Sequence, residues 1–360
     1  MGDSRGRVPP RDPACNTRYD LCPFRGTQGS GDAADVKRTV LYLSRADIEA
    51  LALDETALRE SVLAAFRANH DDRGISKPKL AFDIGPGHAF QSLSAASAAL
   101  GVASKKWLGM APSPDGGGAN IDALVALNDF ATGRLLAIMD GNELTAVRTA
   151  AMSAAAATSL ARADSRTIGF VGCGIQAHAH LPAMKALLPG LDTVLAYGRG
   201  RASTQSFADF AASQGFAVET FAEDEAQALV SGCDIVITSV PTKAGFKPFL
   251  SPGWLKPGSF VAGVDIARSW IPDRLRDLDI LATDDHAQQA TTAALSPTVG
   301  PLGSFDADLS ELAAGTKPGR TSPEQRAMFV FRGYAVADLA VAASVYKAAT
   351  EQGIGTHLPR

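Results

Sequence analysis

The sequence lacks the features that mark several large classes of protein. Only four cysteines occur in 360 residues and they are scattered, which argues against a disulfide-stabilised secreted scaffold and fits a reducing, cytoplasmic environment. No apolar run approaches the roughly 20 residues that a membrane-spanning helix needs. The 34 Lys and Arg residues do not outnumber the 38 Asp and Glu residues, so the basic excess typical of nucleic-acid binding is missing. The sequence therefore predicts a cytoplasmic protein with no membrane and no nucleic-acid partner.

Apolar residues are abundant enough for a large folded core. Hydrophobic residues make up 46% of the chain and charged residues 20%, as in ordinary globular proteins. With 360 residues, the chain exceeds the roughly 150 residues of one typical domain, so two domains are expected. Residues 1–36 are rich in Gly, Pro, Arg, Asp and Ser and contain no apolar segment like that of a secretory signal. They are expected to form a disordered N-terminal extension.

Hydrophobic patterns divide the remaining chain into two regions. In the first, predicted helices accompany strand-like segments; the helices are at about 44–53, 55–69 and 144–162, and the strand-like segments at 39–43, 77–106, 123–127 and 135–140. In the second, strands alternate with helices; the strands are at 167–171, 193–197, 234–239, 259–264 and 280–283. This alternation predicts a parallel, doubly wound α/β sheet with right-handed crossovers. From residue 323 a turn is expected, followed by one long amphipathic helix through Phe329, Tyr334, Leu339 and Val345.

The strongest local signal is a glycine-rich turn between a predicted strand and a predicted helix. Gly172, Gly174 and Ala177 form the pattern Gly-x-Gly-x-x-Ala directly after the strand. Gly172 permits a tight turn, Gly174 lets the backbone approach a pyrophosphate, and Ala177 allows close packing of the helix on the strand. The start of the helix, with Ile175 and Gln176, then faces the anion. Ordinary strand-to-helix turns also contain such glycines, but the surrounding strands and helix favour dinucleotide binding.

The end of the next strand indicates which dinucleotide is bound. In NAD-binding proteins an acidic residue at this position usually contacts the ribose hydroxyls. Here the strand is followed by Arg199, Arg201 and Ser203, with no carboxylate among residues 198–203. The planar fork of arginine suits the 2′-phosphate of NADP. The sequence therefore predicts that NADP(H) is preferred and NAD(H) is possible; a solvent-exposed basic loop is the alternative interpretation.

Several blocks, in the same order along the chain, resemble the ornithine cyclodeaminase/mu-crystallin family from about residue 39 to 355. The blocks are residues 132–151, 172–177, 309–320 and 329–338. The resemblance implies a homodimer in which a Rossmann domain, residues 151–322, is inserted into a discontinuous α/β domain. That second domain, residues 37–150 and 323–360, would bind the substrate and form the dimer. Across the family, hydride moves between the nicotinamide and the alpha carbon of an imino or amino acid.

The resemblance also implies roles for individual side chains. Lys106 is similar to the lysine that faces the substrate carboxylate, and Lys79 stands where the family usually has an arginine, which weakens a bidentate clamp. Arg148 is expected to reach the substrate carboxylate or the cofactor phosphates. Asp265 ends a strand, where ligands bind in parallel sheets, and is similar to the catalytic acid. Surface positions are the alternative for the basic residues, and a helix cap is the alternative for Asp265.

Further contacts to the ligands are expected close to these residues. Thr238 and Ser239 end the preceding strand and should line the nicotinamide pocket. Asn120 falls where the family often has a threonine that contacts the cofactor. Arg332 is an unusual cation near the inferred pocket and is expected to accept a second carboxylate of the substrate.

No metal is expected, although three groups of residues resemble metal ligands. Cys15 and Cys22 have no second cysteine pair or nearby histidine to complete a zinc site. His178 and His180 follow the glycine-rich turn on a predicted helix, where packing or solvent explains them. Residues 284–286, Asp-Asp-His, are explained equally well by a loop after a strand.

The predicted function is NAD(P)H-dependent reduction of a 2-imino acid or cyclic ketimine to an amino acid, or the reverse oxidation. A carboxylate anchor would orient the C=N carbon while Asp265 stabilises the protonated imine. Two alternatives remain open. Ornithine cyclodeamination to proline and ammonia needs a retained NAD, which Arg199 does not favour. A mu-crystallin-like NADPH-linked binding protein is less expected because Lys106, Arg148 and Asp265 are all present.

Overall fold

Two β-sheets, with helices packed on them, form the part of the chain that the computed structural model describes. The described residues are 39–71, 74–113, 119–241, 245–292 and 304–360. The expected N-terminal extension, residues 1–36, lies outside these ranges, and so do Cys15 and Cys22. No helix in the described ranges combines the length and the apolar character that crossing a bilayer requires.

Sixteen strands and nine α-helices occur in the described ranges. The strands are β1 (Thr39–Leu43), β2 (Gly74–Ser76), β3 (Leu80–Gly85), β4 (His88–Ser97), β5 (Val102–Pro112), β6 (Ala119–Asp129), β7 (Leu135–Asp140), β8 (Thr167–Val171), β9 (Thr193–Tyr197), β10 (Ala217–Phe221), β11 (Ile235–Thr238), β12 (Phe260–Gly263), β13 (Ile280–Thr283), β14 (Ala307–Asp308), β15 (Ala327–Val330) and β16 (Thr356–Pro359). The helices are α1 (Arg45–Ala50), α2 (Glu55–His70), α3 (Gly141–Leu160), α4 (Ile175–Leu187), α5 (Arg201–Ser213), α6 (Ala226–Gly232), α7 (His286–Thr292), α8 (Leu309–Ala314) and α9 (Ala335–Gln352).

The first sheet is mostly antiparallel and packs one face against helices. Its strand order is β16-β1-β7-β6-β5-β4-β2, with β3 paired to β4 and with β1 parallel to β7. Helices α2 and α9 cover the inner face of this sheet. In α2, Leu58, Val62 and Phe66 recur at helical spacing and are buried, and Asp54 caps the helix by accepting from the Ala57 amide.

The second sheet is the predicted doubly wound parallel sheet. Its order is β10-β9-β8-β11-β12-β15-β13-β14, and every pair of neighbours is parallel. β11, β12 and β13 are fully buried apolar runs, as expected for strands covered on both faces. The predicted α/β class with a Rossmann sheet is thereby confirmed. The chain runs outward in opposite directions from β8 and β11, which creates a crevice between their carboxyl ends.

The end of the chain differs from the sequence-based expectation. The long helix predicted beyond residue 323 begins only at Ala335, and residues 327–330 form β15 between β12 and β13 of the second sheet. The expected domain boundary at residue 322 therefore cuts β15 off from the sheet to which it belongs. The prediction of a helix over residues 327–330 was wrong because a short, continuous apolar run fits a buried strand as well as a helix.

Helix α3 lies between the two sheets and carries Arg148. Alanine is its most frequent residue and most of its side chains are buried, which lets neighbouring helices and strands approach closely. At its first residue, a Cβ on Gly141 would lie 2.6 Å from the carbonyl carbon of Ala123, so glycine is required for the contact with β6. This packing fixes the position of Arg148 relative to both sheets.

Candidate active site

A cavity of about 1040 Å³ opens at the carboxyl ends of the strands where the order of the second sheet reverses. In doubly wound sheets, ligands bind at this switch point. Ten of the predicted site residues line it: Arg148, Gly172, Gly174, Ile175, Gln176, Arg199, Ser203, Ser239, Asp265 and Arg332. The structure therefore brings together residues from α3, from the turn after β8, from the starts of α4 and α5 and from the segments after four further strands.

The glycine-rich turn has the geometry that a pyrophosphate needs. Gly172 has a φ of 101°, and a Cβ there would lie 2.8 Å from the carbonyl oxygen of Ser239, so only glycine fits. A Cβ on Gly174 would meet nothing within 4 Å, which leaves open space in front of the turn. Ala177 is fully buried on the inner side of α4 and allows that helix to pack closely.

Two observations show that the residues at this turn fit a bound dinucleotide. The N-terminus of α4 has no side-chain cap, so its first amide groups point towards the cavity without a side-chain acceptor. The Oε1 atom of Gln176 is buried and has no hydrogen-bond partner among the described residues. A buried, unpaired amide oxygen is costly unless a ligand satisfies it.

The far end of the cavity has mixed charge. Arg199 and Ser203 line it, as predicted for a 2′-phosphate site, but Arg201 is exposed at the start of α5 and is not part of the wall. Glu223, which follows β10, also lines the cavity and was not identified from the sequence. Its backbone carbonyl accepts a hydrogen bond from the hydroxyl of Tyr197 at 2.9 Å.

Arg148 is held at the cavity wall by a buried carboxylate and by a glycine. Its Nε lies 3.2 Å from Oδ1 of Asp338, and its Nε and Nη1 are buried without a hydrogen-bond partner among the described residues. A Cβ on Gly333 would lie 2.7 Å from Nη1, so a glycine with a φ of 85° is needed for this close approach. Arg148 therefore lines the cavity with a guanidinium group whose hydrogen-bonding capacity the protein does not use in full, as suits an anion site.

Lys106 lies behind this wall rather than in it. Its Nζ donates to Oδ1 of Asp338 at 2.8 Å and to Oγ1 of Thr145 at 3.3 Å, and only 2% of the residue is exposed. Burial and the charge of Arg148 lower the pKa of Lys106 to about 7, against the opposing effect of Asp338. Lys106 and Arg148 thus share one carboxylate, which leaves a local excess of positive charge.

Lys79 also contacts protein rather than open cavity. Its Nζ donates to the backbone carbonyl of Arg332 at 2.9 Å. Burial and Arg148 lower the pKa of Lys79 to about 8, while Asp284 and Asp338 act in the opposite direction. Lys79 therefore fixes the backbone next to Gly333, against which Arg148 packs.

Asp265 is a buried residue in the wall of the cavity. Oδ1 accepts from the Thr238 hydroxyl at 2.9 Å, and Oδ2 accepts a short hydrogen bond from Ser269. Burial raises the pKa of Asp265, although both hydroxyl donors oppose the shift. The next two residues, Ile266 and Ala267, have φ values of 61° and 54°, a strained conformation that is seldom retained without a functional reason.

Two further predicted cofactor contacts are, like Arg201, not found in the cavity wall. Thr238 points away from it and holds Asp265 instead, with the indole of Trp270 donating to the Thr238 hydroxyl at 3.4 Å. Asn120 is exposed on β6, whereas its neighbour Ile121 lines the cavity. The cause is strand alternation: consecutive side chains point to opposite faces, so an error of one residue reverses the assignment.

The histidines and acidic residues set aside above have structural partners. His180 is buried, with Nε2 2.9 Å from Oγ of Ser153. Among the described residues, His286, Asp308 and Glu311 are close enough to share a cation. However, Asp308 and Glu311 already form the capping box of α8, and His286 is exposed, so this group is explained without a metal.

Comparisons with known proteins extend over most of the chain. A sequence model of the ornithine cyclodeaminase/mu-crystallin family matches residues 38–353. The alanine dehydrogenase of Archaeoglobus fulgidus is 29% identical over 327 residues, which are 88% of this chain and 98% of that protein. The ketimine reductase mu-crystallin of Rattus norvegicus is 31% identical over 227 residues, 62% of this chain and 68% of its own.

A solved structure shows the same likeness in three dimensions. The Δ1-pyrroline-2-carboxylate reductase of Thermococcus litoralis, in complex with NADH and L-proline, is 25% identical to this chain. The match has a TM-score of 0.77 and covers 89% of this chain and 100% of the reductase. The shared fold therefore includes most of the described residues.

Proposed function

The chain belongs to the ornithine cyclodeaminase/mu-crystallin family, and on that premise we propose that it is an NAD(P)H-dependent oxidoreductase that interconverts a 2-imino acid or cyclic ketimine and the corresponding amino acid. One observation carries the proposal: a cavity with a dinucleotide turn at Gly172 is also lined by Arg148 and Asp265. An anion-binding guanidinium and a buried carboxyl group beside a nucleotide site are the groups that this chemistry requires.

Arg148 and Asp265 have separate roles in this reaction. When bound, the nicotinamide ring of the cofactor supplies or accepts a hydride. Arg148 binds the substrate carboxylate with the donors that the protein leaves unpaired, and so orients the C=N carbon. Asp265 holds the substrate nitrogen and exchanges its proton, for which a pKa raised by burial is suited.

Lys106 and Lys79 support the carboxylate site from behind the wall. Their Nζ atoms bind Asp338 and the Arg332 carbonyl, so they position Arg148 and Gly333 and add positive potential. Because burial and Arg148 lower the pKa of Lys106 to about 7, a larger fraction of Lys106 is neutral at pH 8 than at pH 6. A bound carboxylate favours the charged form and so raises that pKa again.

Binding of a carboxylate ligand at the substrate site is therefore expected to be accompanied by proton uptake at pH 8. The uptake should be smaller at pH 6, where Lys106 is already charged. Titration calorimetry of L-alanine binding to the NADP⁺ complex, in buffers of different ionisation enthalpy, measures this uptake. The Lys106→Met variant should lose most of it, with a remainder from Lys79, whose pKa is about 8. Equal uptake at both pH values in the unmodified protein contradicts the assignment.

For the cofactor, NADPH is proposed over NADH because Arg199 and Ser203 line the adenosine end of the cavity. Arg199→Ala is expected to weaken NADPH binding by about 10-fold or more, because it removes a charged hydrogen-bond donor to the 2′-phosphate. NADH, which has no 2′-phosphate, should bind nearly as before. Fluorescence titration of both cofactors measures the ratio. Glu223→Gln is the matched control: removing a negative charge from the same wall should not weaken NADPH. Equal loss for both cofactors in Arg199→Ala contradicts the preference.

A homodimer is proposed because the outer face of the first sheet is apolar and exposed. Phe82, Phe90, Trp107 and Leu124 lie on that face, with Phe90 stacked on Trp107 at a centroid distance of 5.8 Å. Exposed apolar patches of this kind mark interfaces. Light scattering should give twice the chain mass, and Trp107→Glu should shift the protein towards monomer; a monomeric unmodified protein refutes the proposal.

The function is tested by following absorbance at 340 nm with NADPH and with NADH. The substrates are 1-pyrroline-2-carboxylate, 1-piperideine-2-carboxylate, and pyruvate, glyoxylate or oxaloacetate with ammonia. Oxidation of the cofactor with at least one imine is expected. Proline formed from ornithine without added reductant would identify a cyclodeaminase instead. Tight NADPH binding with no turnover of any substrate would identify a binding protein.

A further inference from the structure

The substrate end of the cavity contains two arginines that the proposed reaction does not use. Arg268 follows Asp265 by three residues, Arg332 directly precedes Gly333, and both line the cavity. Nη1 of Arg268 donates to the Val240 carbonyl at 3.3 Å, but its Nε is buried without a hydrogen-bond partner among the described residues. Arg268 was not identified from the sequence.

Both arginines are held in place by the protein. The backbone amide of Arg332 donates to Oδ2 of Asp284 at 3.1 Å, and its Nε donates to Oε1 of Gln289 at 2.9 Å. The backbone amide of Arg268 donates to the Asp265 carbonyl at 3.2 Å, which closes the strained turn after β12. Two pre-positioned guanidinium groups lose little entropy when they bind an anion.

The pyrophosphate turn is too far from Arg332 to explain that arginine. Arg332 follows β15, which is three strands from β8, and Arg268 follows β12, which is two strands from it. At the usual strand spacing these steps amount to about 14 Å and about 10 Å. The cofactor phosphates at Gly172 are therefore out of reach for Arg332. Arg268 lies closer to the turn, because its Nη1 donates to the Val240 carbonyl, and it lines the same cavity as Arg332 and Asp265.

The charges around this end are unbalanced in the protein alone. Four carboxylates, Asp265, Asp284, Asp285 and Asp338, accompany five basic side chains, which are Lys79, Lys106, Arg148, Arg268 and Arg332. The basic side chains outnumber the carboxylates by one when all groups are ionised. Burial lowers the pKa of Arg268 and of Arg332; Asp265 opposes the shift at Arg268, and Asp284 opposes it at Arg332, where Arg268 adds to it. A single substrate carboxylate bound at Arg148 leaves the guanidinium groups of Arg268 and Arg332 without a role in binding it.

We propose that Arg268 and Arg332 bind a second carboxylate of the substrate, so that the preferred substrates are 2-iminodicarboxylates and their amino-dicarboxylate partners. This inference rests on the proposed oxidoreductase function. In the reduction, the C=N π bond is replaced by one C–H and one N–H bond. The reduced cofactor supplies the two electrons with the hydrogen at carbon, and solvent supplies the proton at nitrogen through Asp265. Neither carboxylate changes.

The first test compares oxaloacetate plus ammonia with pyruvate plus ammonia, which give imines that differ by one carboxylate. With NADPH, kcat/KM for the dicarboxylate is expected to be about 100-fold higher or more, because hydrogen bonds to charged groups each contribute strongly. Arg332→Gln and Arg268→Gln should each lower this ratio by about 10- to 100-fold, mainly through KM for the dicarboxylate. Arg274→Gln, on an exposed arginine outside the cavity, is the matched control and should keep the ratio.

The second test is calorimetric binding of L-aspartate and of L-alanine to the NADP⁺ complex, which needs no turnover. Tighter binding of L-aspartate, lost in Arg332→Gln, supports the inference. The inference is overturned if L-aspartate and L-alanine bind equally well and the two imines have equal kcat/KM. That result leaves the proposed function standing. Absence of turnover with every imine overturns the proposed function, while the aspartate-to-alanine ratio still decides the inference. Weaker NADPH binding in both variants, with an unchanged ratio, assigns the arginines to the cofactor and overturns it as well.

Discussion

Replacing Asp265 with asparagine is expected to lower kcat by about 10²- to 10⁴-fold, the range that a positioned proton-transfer group contributes. Asp265 is 4% exposed and lines the cavity, and its carboxyl group accepts from the hydroxyls of Thr238 and Ser269. Asparagine keeps the size but cannot exchange a proton. NADPH affinity should change little, because the cofactor phosphates lie at Gly172. Steady-state kinetics combined with NADPH titration measures both effects.

Ser269→Ala provides the control for this prediction. The Ser269 hydroxyl lowers the pKa of Asp265, so its removal raises that pKa. The limb of the kcat/KM profile that reports Asp265 should therefore move to higher pH, while activity at the optimum falls far less than in Asp265→Asn. If Asp265→Asn keeps kcat within a few-fold of the unmodified protein, Asp265 is a structural residue and the proposed role is refuted.

Replacing Arg148 with methionine is expected to raise KM for the imine by about 30-fold or more, which corresponds to about 2 kcal/mol for losing one partner of a buried charge pair. The Nε and Nη1 atoms of Arg148 have no hydrogen-bond partner among the described residues. The guanidinium group packs against Gly333, where any side chain would collide with it. Asp338 keeps Lys106 as a partner, so the fold should survive.

Arg148→Lys separates charge from geometry at this position. Lysine restores the positive charge but not the planar fork, so KM should recover only in part. Thermal melting of both variants checks that the fold is retained. An unchanged KM in Arg148→Met, in a protein that melts normally, would move the carboxylate site elsewhere in the cavity.

The features of the protein that could be predicted from its sequence depend on local patterns. The turn from Gly172 to Ala177 needs small residues at fixed spacing, and its position after β8 is read directly from neighbouring residues. The family, the Rossmann sheet, the class of oxidoreductase and NAD(P) binding are confirmed by the structure and the comparisons together. The roles of individual site residues stay predictions.

The parts that sequence alone missed depend on long-range contacts. Lys106 meets Asp338, which is 232 positions away, and Lys79 meets the Arg332 carbonyl across 253 positions. No spacing rule indicates such pairs. Arg268 lies only three residues after Asp265, but its place in the cavity wall depends on the turn in which Ile266 has a positive φ, and no sequence pattern indicated that turn.

The central claim is that one cavity holds a reduced nicotinamide against the alpha carbon of a carboxylate-anchored imine. NADPH labelled with deuterium at nicotinamide C4, on each face in turn, tests it most directly. With 1-pyrroline-2-carboxylate or the imine of oxaloacetate, one of the two labels is expected to appear at the alpha carbon of the amino acid by mass spectrometry and NMR. Oxidation of the cofactor without deuterium at that carbon, from either face, would contradict the account.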